Sequence, residues 1–366
     1  MRVLVVITRG DTIGGAQTHV ASISKKLIED GHEVKVVFGG EIGPFAELLK
    51  FNNISYLNVL SFLNKFSAKN DLKAYREIKE IITNFQPELI SLHSTKAGVL
   101  GRIIAKRVGL PVVLTVHGWS FSNGIPFYKR AVSAVIERSL SFMVDKYILV
   151  SFYDSNIAKK IKFKVSKLVV VHNGVEDFFV KSNEEKKQDS TLSIVMVARF
   201  DNQKNQKLLI DVCKDISGIE ISFIGDGPLL EDIKLYSNNL NTLCQINFLG
   251  LRLDVKKLIK DFDVFALISN WEGFPISTIE AMCIGMPIIV SDVGGAAECV
   301  EENVNGYIVR NDDKEYLRNA IIELRDNKSL LQTYGINSRE IFLKKFTDQV
   351  MYDKTKLIFK SVLNNK

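Results

Sequence analysis

Short apolar runs recur along this chain at residues 3–7, 34–38, 89–92, 112–116, 147–150 and 168–171, and most of their residues are β-branched. Longer stretches with apolar positions at helical spacing lie between them, at 17–29, 72–83, 95–107 and 128–142. A strand that is apolar at successive positions is covered on both faces, so this alternation predicts a parallel sheet between helices. The pattern then restarts, with strand-like runs at 194–197, 221–224, 246–249, 264–268 and 288–291, again separated by helical stretches. Between the two sets, residues 180–190 are polar from Ser182 to Ser190 and lack apolar periodicity, which marks a linker. Residues 341–363 have helical spacing after the last strand. Ligands of such sheets sit beyond the carboxyl ends of the strands, so the strand-end loops are where chemistry is sought.

Composition changes this picture little. The 366 residues suffice for two domains, and 46% apolar with 25% charged residues is an ordinary globular balance. No apolar run approaches the ~18 residues of a membrane-spanning helix. The run at 3–7 is too short for a signal-peptide core and leads straight to Arg9 and Asp11, so a cytoplasmic placement is expected. Cys213, Cys244, Cys283 and Cys299 are widely spaced and read as buried thiols, not metal ligands or disulfides. The net charge of +6 permits attraction to anionic lipid or nucleotide phosphates without demonstrating either.

The most informative stretch runs from Asn270 through Trp271-Glu272-Gly273-Phe274-Pro275-Ile276-Ser277-Thr278-Ile279-Glu280 to Met282. Pro275 has no N–H to donate and suits only the first turn of a helix. Glu272 is therefore expected in the loop leaving a strand, with Glu280 about one turn into the next helix and leaning back toward its start. The unpaired N–H groups at that helix start attract a phosphate. One acid beside a sugar, one on a ribose and a diphosphate between them would hold a nucleotide sugar.

This segment resembles the E-x7-E motif of retaining glycosyltransferases of family 4, whose GT-B fold has two Rossmann-like α/β domains with parallel sheets facing across a cleft. The resemblance implies an acceptor-side domain over 1–180, a nucleotide-sugar domain over 181–345, and a C-terminal helix over 346–366 that packs back on the first. Arg199 and Lys204 match the family's diphosphate cations, although Asn205 replaces its usual glycine. Two cations can stabilise a departing diphosphate without a metal. The match places Glu280 on ribose hydroxyls, Glu272 near a donor-sugar hydroxyl, and backbone N–H groups of Phe274, Ile276, Ser277 and Thr278 toward sugar or phosphate. Gly273, Pro275 and the Gly225-Asp226-Gly227-Pro228 turn complete the donor side. The Gly14–Gly15 loop after the first strand faces diphosphate and acceptor, and His117, at the end of the 112–116 strand, positions the reacting sugar. His93 and Lys96 are acceptor-side candidates, in a loop resembling a subset of the family that builds bacterial surface polysaccharides.

The reaction so implied moves a sugar from a nucleotide diphosphate, preferentially a UDP-sugar, to a hydroxyl of a glycan or lipid-linked acceptor with retained anomeric configuration. In the family's front-face mechanism, the departing phosphate oxygen helps deprotonate the acceptor. No required metal or other cofactor is expected: Asp261-Phe262-Asp263 superficially resembles a D-x-D metal site, but it reads as a helix end meeting a strand start. Lys159, Lys160, Lys162, Lys164 and Lys167 surround Ile161 and Phe163, a pattern suited either to anionic lipid or to a solvated face. Nucleic acid fits poorly, with no recognition motif and no basic stripe. A GT-B nucleotide-sugar epimerase or hydrolase, and a non-catalytic nucleotide-binding protein, are the alternatives.

Overall fold

The computed structural model describes residues 1–121, 126–179 and 191–364, so the linker expected at 180–190 lies outside the described residues. The chain divides into two compact units, one of Met1–Glu176 with the segment from Asp348 onward, the other of Asp177–Thr347.

In the first unit, strands β1 (Arg2–Arg9), β2 (Glu33–Gly39), β3 (Tyr56–Val59), β4 (Leu89–His93), β5 (Val112–Val116), β6 (Lys146–Leu149) and β7 (Leu168–Val170) form one parallel sheet. Their order is β3-β2-β1-β4-β5-β6-β7. The continuous apolar run of β1 is explained by its two covered faces. Val3, Val5 and Ile7 pack with Val20, Ile23 and Leu27 of α1 (Gly15–Glu29). Leu4 and Val6 pack with Ala74, Ile78 and Ile82 of α3 (Ala68–Phe85) and Ile104 of α4 (Thr95–Val108). Helix α2 (Pro44–Phe51) follows β2, α5 (Phe127–Ser139) follows β5, and α6 (Phe152–Lys160) follows β6.

The second unit repeats the plan with β8 (Leu192–Val197), β9 (Ile219–Ile224), β10 (Gln245–Gly250), β11 (Val264–Leu267), β12 (Ile288–Ser291) and β13 (Gly306–Val309), in the order β10-β9-β8-β11-β12-β13. Its helices are α7 (Gln206–Cys213), α8 (Leu230–Asn238), α9 (Val255–Leu258), α10 (Ile276–Cys283), α11 (Lys314–Asp326) and α12 (Lys328–Lys345).

Two differences from the pattern reading have physical causes. The edge strands β3 and β13 are four residues each, and β3 is largely half-buried or exposed, so neither presents a long apolar run. The helical spacing of 341–363 belongs to two helices, because the chain breaks at Phe346 before α13 (Asp348–Asn364). Helix α13 begins where the Asp348 N–H donates to the Val175 carbonyl (2.9 Å), and its Met351, Ile358 and Phe359 enter the core beside α1. Among the described residues no helix is long and apolar enough to cross a membrane.

Candidate functional site

In the second unit, the loop after β8 runs antiparallel to the chain leaving β11. Asn205 N–H donates to the Ile268 carbonyl (2.9 Å), and Asn270 N–H to that of Gln203 (2.8 Å). Lys204 is thereby delivered to Glu272, and the two form an ion pair. The Glu272 carboxylate also accepts from Ser269 Oγ (2.7 Å) and Gln203 Nε2 (3.1 Å). Lys204 retains 12% and Glu272 6% of side-chain exposure, so water screens the pair little. Arg199 is the opposite case: it is 65% exposed, with only Asp201 nearby at 3.5 Å.

Of the two cations matched to the family's diphosphate site, Lys204 is charge-compensated by Glu272. Arg199 is the outward cation, and the Lys204–Glu272 pair is a rigid dipole. The departure at Asn205 also has a reason, since its side chain accepts the Leu208 N–H (3.2 Å) and caps α7.

Helix α10 starts at Ile276 behind Pro275, and no side chain caps it. Its first N–H groups therefore leave the positive end of the helix available to an anion. Phe274 is buried, with its ring 5.5 Å from that of Phe346, which anchors the approach to the helix. Thr278 is buried, and its hydroxyl has no partner. The neighbouring strand-end turn holds this segment in place: the Gly295 N–H donates to the Gly273 carbonyl (2.7 Å). Gly294, at φ +59°, lies so close that a Cβ there would stand 1.9 Å from the Glu272 carbonyl oxygen. Gly225 is equally constrained, since its Cβ would meet the Ala198 carbonyl at 2.1 Å, which sets the Gly225–Gly227 turn beside Arg199.

Burial raises the pKa of the Glu280 carboxyl, against a smaller opposing effect from Lys256. A carboxyl whose folded pKa lies above its unfolded value of 4.5 favours the native state while protonated and costs stability as pH rises through the folded pKa. Glu280→Gln should therefore gain thermal stability relative to the parent as pH increases above 4.5, and equal melting temperatures from pH 4.5 to 8 would contradict this.

In the first unit, β1, β4 and β5 are parallel neighbours, so their carboxyl ends lie side by side, with His93 in register with Ile7 and Thr115. Gly14 precedes α1 in extended conformation, Gly15 opens the helix, and Gln17 ties it back to the Arg9 carbonyl (3.2 Å). Ser94 adopts φ +87°, and its hydroxyl bonds that of Thr8 (2.6 Å) across the strand ends. Three imidazoles meet beneath these loops. His93 Nδ1 lies 3.1 Å from His117 Nε2, His93 Nε2 lies 3.0 Å from Ser91 Oγ, and His19 Nδ1 lies 3.0 Å from Asn173 Oδ1. Burial holds His19 down at about 4, and it also drives His93 and His117 well below the usual imidazole range, so all three are neutral near pH 7.

Two acceptor-side candidates are corrected by this arrangement. Lys96 is 3% exposed; it donates to the Lys65 carbonyl (2.7 Å), pairs with Asp71 and lies over the Phe66 ring, so its ammonium is used inside the fold. His93 is buried, with its Nδ1 against the His117 ring. His117 is the half-buried member, and its Nδ1 has no partner.

Asp263 accepts from the Ser193 N–H (3.0 Å) and hydroxyl (2.7 Å), while Asp261 closes a helical turn before β11. Asp261 and Asp263 thus lie where a helix end meets the amino end of the central strand β11. The pattern reading missed Gln203, Ser269 and His19. Ser269 and Gln203 adjoin the motif residues they serve, but a polar side chain beside a motif gives no sign of its orientation. His19 was detectable as a lone histidine on the buried face of α1.

Comparison with known proteins extends the geometry. Residues 177–341 match the family described as glycosyl transferases group 1, and residues 13–177 match glycosyltransferase family 4. A UDP-Gal:alpha-D-GlcNAc-diphosphoundecaprenol alpha-1,3-galactosyltransferase of Escherichia coli is 29% identical over 314 residues, covering 80% of each chain. An O-antigen biosynthesis glycosyltransferase of the same organism is 27% identical, covering 88% of this chain and 90% of that protein. The structure of HepE from Anabaena in complex with UDP-glucose superposes with a TM-score of 0.84 at 20% identity, covering 99% of this chain and 100% of that one. The likeness to that structure supports the GT-B assignment, two Rossmann-like domains, each built on a parallel sheet.

Proposed function

From the premise that the chain belongs to glycosyltransferase family 4, we propose that it transfers a sugar from a nucleotide diphosphate, a UDP-sugar first among them, to a hydroxyl of a glycan or lipid-linked acceptor, with retention of configuration, in bacterial surface polysaccharide synthesis. The observation that carries the donor half is the Glu272 carboxylate, fixed by Lys204, Ser269 and Gln203 just before the uncapped start of α10. A carboxylate locked before ligand arrives loses little entropy on meeting a sugar hydroxyl, and the helix start offers N–H groups to a phosphate. Arg199 contributes the charge that grows in value as the diphosphate departs. Glu280 takes the ribose and His117, as a neutral imidazole, orients the reacting sugar. The relatives named above act on a UDP-galactose donor and a diphosphoundecaprenol acceptor in one case and serve O-antigen biosynthesis in the other, which supports the same class here. Transfer needs no metal in this scheme, since cation and helix terminus carry the leaving group; full activity in excess chelator is the expected result.

Thermal stabilisation across a panel of UDP- and GDP-sugars tests the donor. UDP-sugars should raise the melting temperature most, Glu280→Ala should weaken that response about tenfold or more, and Arg199→Ala should mainly slow transfer. A parent protein that responds to none of the panel would refute the reading.

We also propose peripheral contact with anionic lipid. Tyr128, Val132, Val135 and Ile136 form an exposed apolar stripe on α5. A cavity of about 370 Å³ lined by Arg138, Phe142, Lys162, Lys164 and Lys167 opens in the same unit. Apolar insertion beside basic charge is the signature of interfacial binding. Sedimentation with vesicles should require anionic lipid and weaken with salt; indifference to both would remove the proposal.

A further inference from the structure

We propose that His19, His93 and His117 form a binding site for one divalent first-row transition ion of the zinc type. This inference rests on the first unit alone and is independent of the transfer reaction. Each histidine offers one ring nitrogen, and these nitrogens all lie within 4.8 Å of one another. His93 Nδ1 and His117 Nε2 are already 3.1 Å apart. Two imidazole nitrogens on one tetrahedral ion stand about 3.3 Å apart, given Zn–N bonds of about 2.0–2.1 Å. The widest pair therefore closes by at most about 1.5 Å, within the reach of small side-chain rotations.

The outer contacts are in place for two of the three rings. A histidine that binds a metal through one nitrogen donates its other N–H to an oxygen, which fixes tautomer and ring orientation. His19 Nδ1 faces Asn173 Oδ1, leaving Nε2 for the ion, and His93 Nε2 faces Ser91 Oγ, leaving Nδ1. His117, half-buried with an unpartnered Nδ1, supplies the third ligand and the route of entry. Three protein ligands leave a fourth position for water, the open arrangement of a non-structural site. The four cysteines are buried and, among the described residues, join no metal-holding cluster.

The test uses the untagged full-length chain. Titration with Co²⁺ should give one equivalent with a tetrahedral visible absorption band, displaced by Zn²⁺ and not by Mg²⁺, and Zn²⁺ should raise the melting temperature. His93→Ala should abolish the band, His19→Gln should do the same, and Ser91→Ala, which leaves every ligand present, should weaken binding about tenfold. His32→Gln and His172→Gln should leave stoichiometry and affinity unchanged. If His93→Ala fails to fold, His19→Gln and Ser91→Ala decide the matter. Absence of the cobalt band in the parent overturns the site, as does a band that survives His19→Gln and His93→Ala. Where the transfer proposed above holds, Zn²⁺ should also slow it by engaging His117, and failure of that arm alone would count against the role of His117 and not against the site.

Discussion

Replacing Lys204 with methionine should lower kcat by roughly 10²–10³-fold, the usual effect of removing one preorganised electrostatic group from a reacting site. The substitution removes the ammonium that pairs with Glu272 and leaves a carboxylate with 6% side-chain exposure held only by Ser269 and Gln203. Part of the loss could then come from damage to the fold, since stranding one member of a buried pair costs about 3–5 kcal/mol. The double variant Lys204→Met/Glu272→Leu separates the two effects. It removes both charges, so it should regain most of the stability of the parent in chemical denaturation while remaining at the low rate. A double variant that recovers both stability and transfer would show the pair to be structural. If kcat is kept and KM rises, the pair binds ground state and transition state equally, and a role for it in the transition state fails.

The largest stability effect is expected in the first unit, at Arg102 and Glu137. Arg102 is fully buried on α4 and donates through Nε to the Gly98 carbonyl (2.6 Å), and its guanidinium lies 2.9 Å from the Glu137 carboxylate of α5. The Glu137 side chain is 5% exposed. Glu137→Ala should cost about 3–5 kcal/mol, because it leaves a guanidinium in the core without its counter-charge. The first unit should then melt on the order of 10 °C lower. Arg102→Met with Glu137→Leu should fall within about 1–2 kcal/mol of the parent, since neither desolvated charge remains. A single variant that loses less than 1 kcal/mol would mean that water reaches the pair. This ion pair also gives α5 its orientation: with Glu137 turned inward, Tyr128, Val132 and Val135 face out, where the lipid proposal needs them.

The helices and central strands of both sheets were legible because each follows from a local rule. A run such as 112–116 is apolar at all positions but Thr115 and is buried throughout, as a parallel strand covered on both faces is. Pro275 started α10 where its missing donor suggested. The edge strand β3 escaped because it is half-buried or exposed at three of its four positions and so needs fewer apolar residues, whereas β13 is buried throughout but offers only Tyr307, Ile308 and Val309 behind Gly306. The site was legible in a narrower sense. Glu272, Lys204 and Arg199 stood out by residue type and position at strand ends, yet their states did not. Whether a lysine is free or neutralised depends on which distant chain runs beside it, and the pairing of 203–205 with 268–270 made that choice.

Lys96 and the histidines show the same division. In sequence, Lys96 and His93 sit in one strand-end loop and look equally available. Residues Lys65, Phe66 and Asp71, roughly 30 positions earlier, enclose the lysine, while His19 and His117 surround the histidine from α1 and β5. What the chain determined by itself was the alternation of strand and helix, the two-domain plan and the residue types at each strand end, because periodicity and turn chemistry act over a few residues. What only the tertiary structure decided was which charges remain available and which imidazoles share one pocket, because desolvation and pairing are properties of the neighbours that folding brings together.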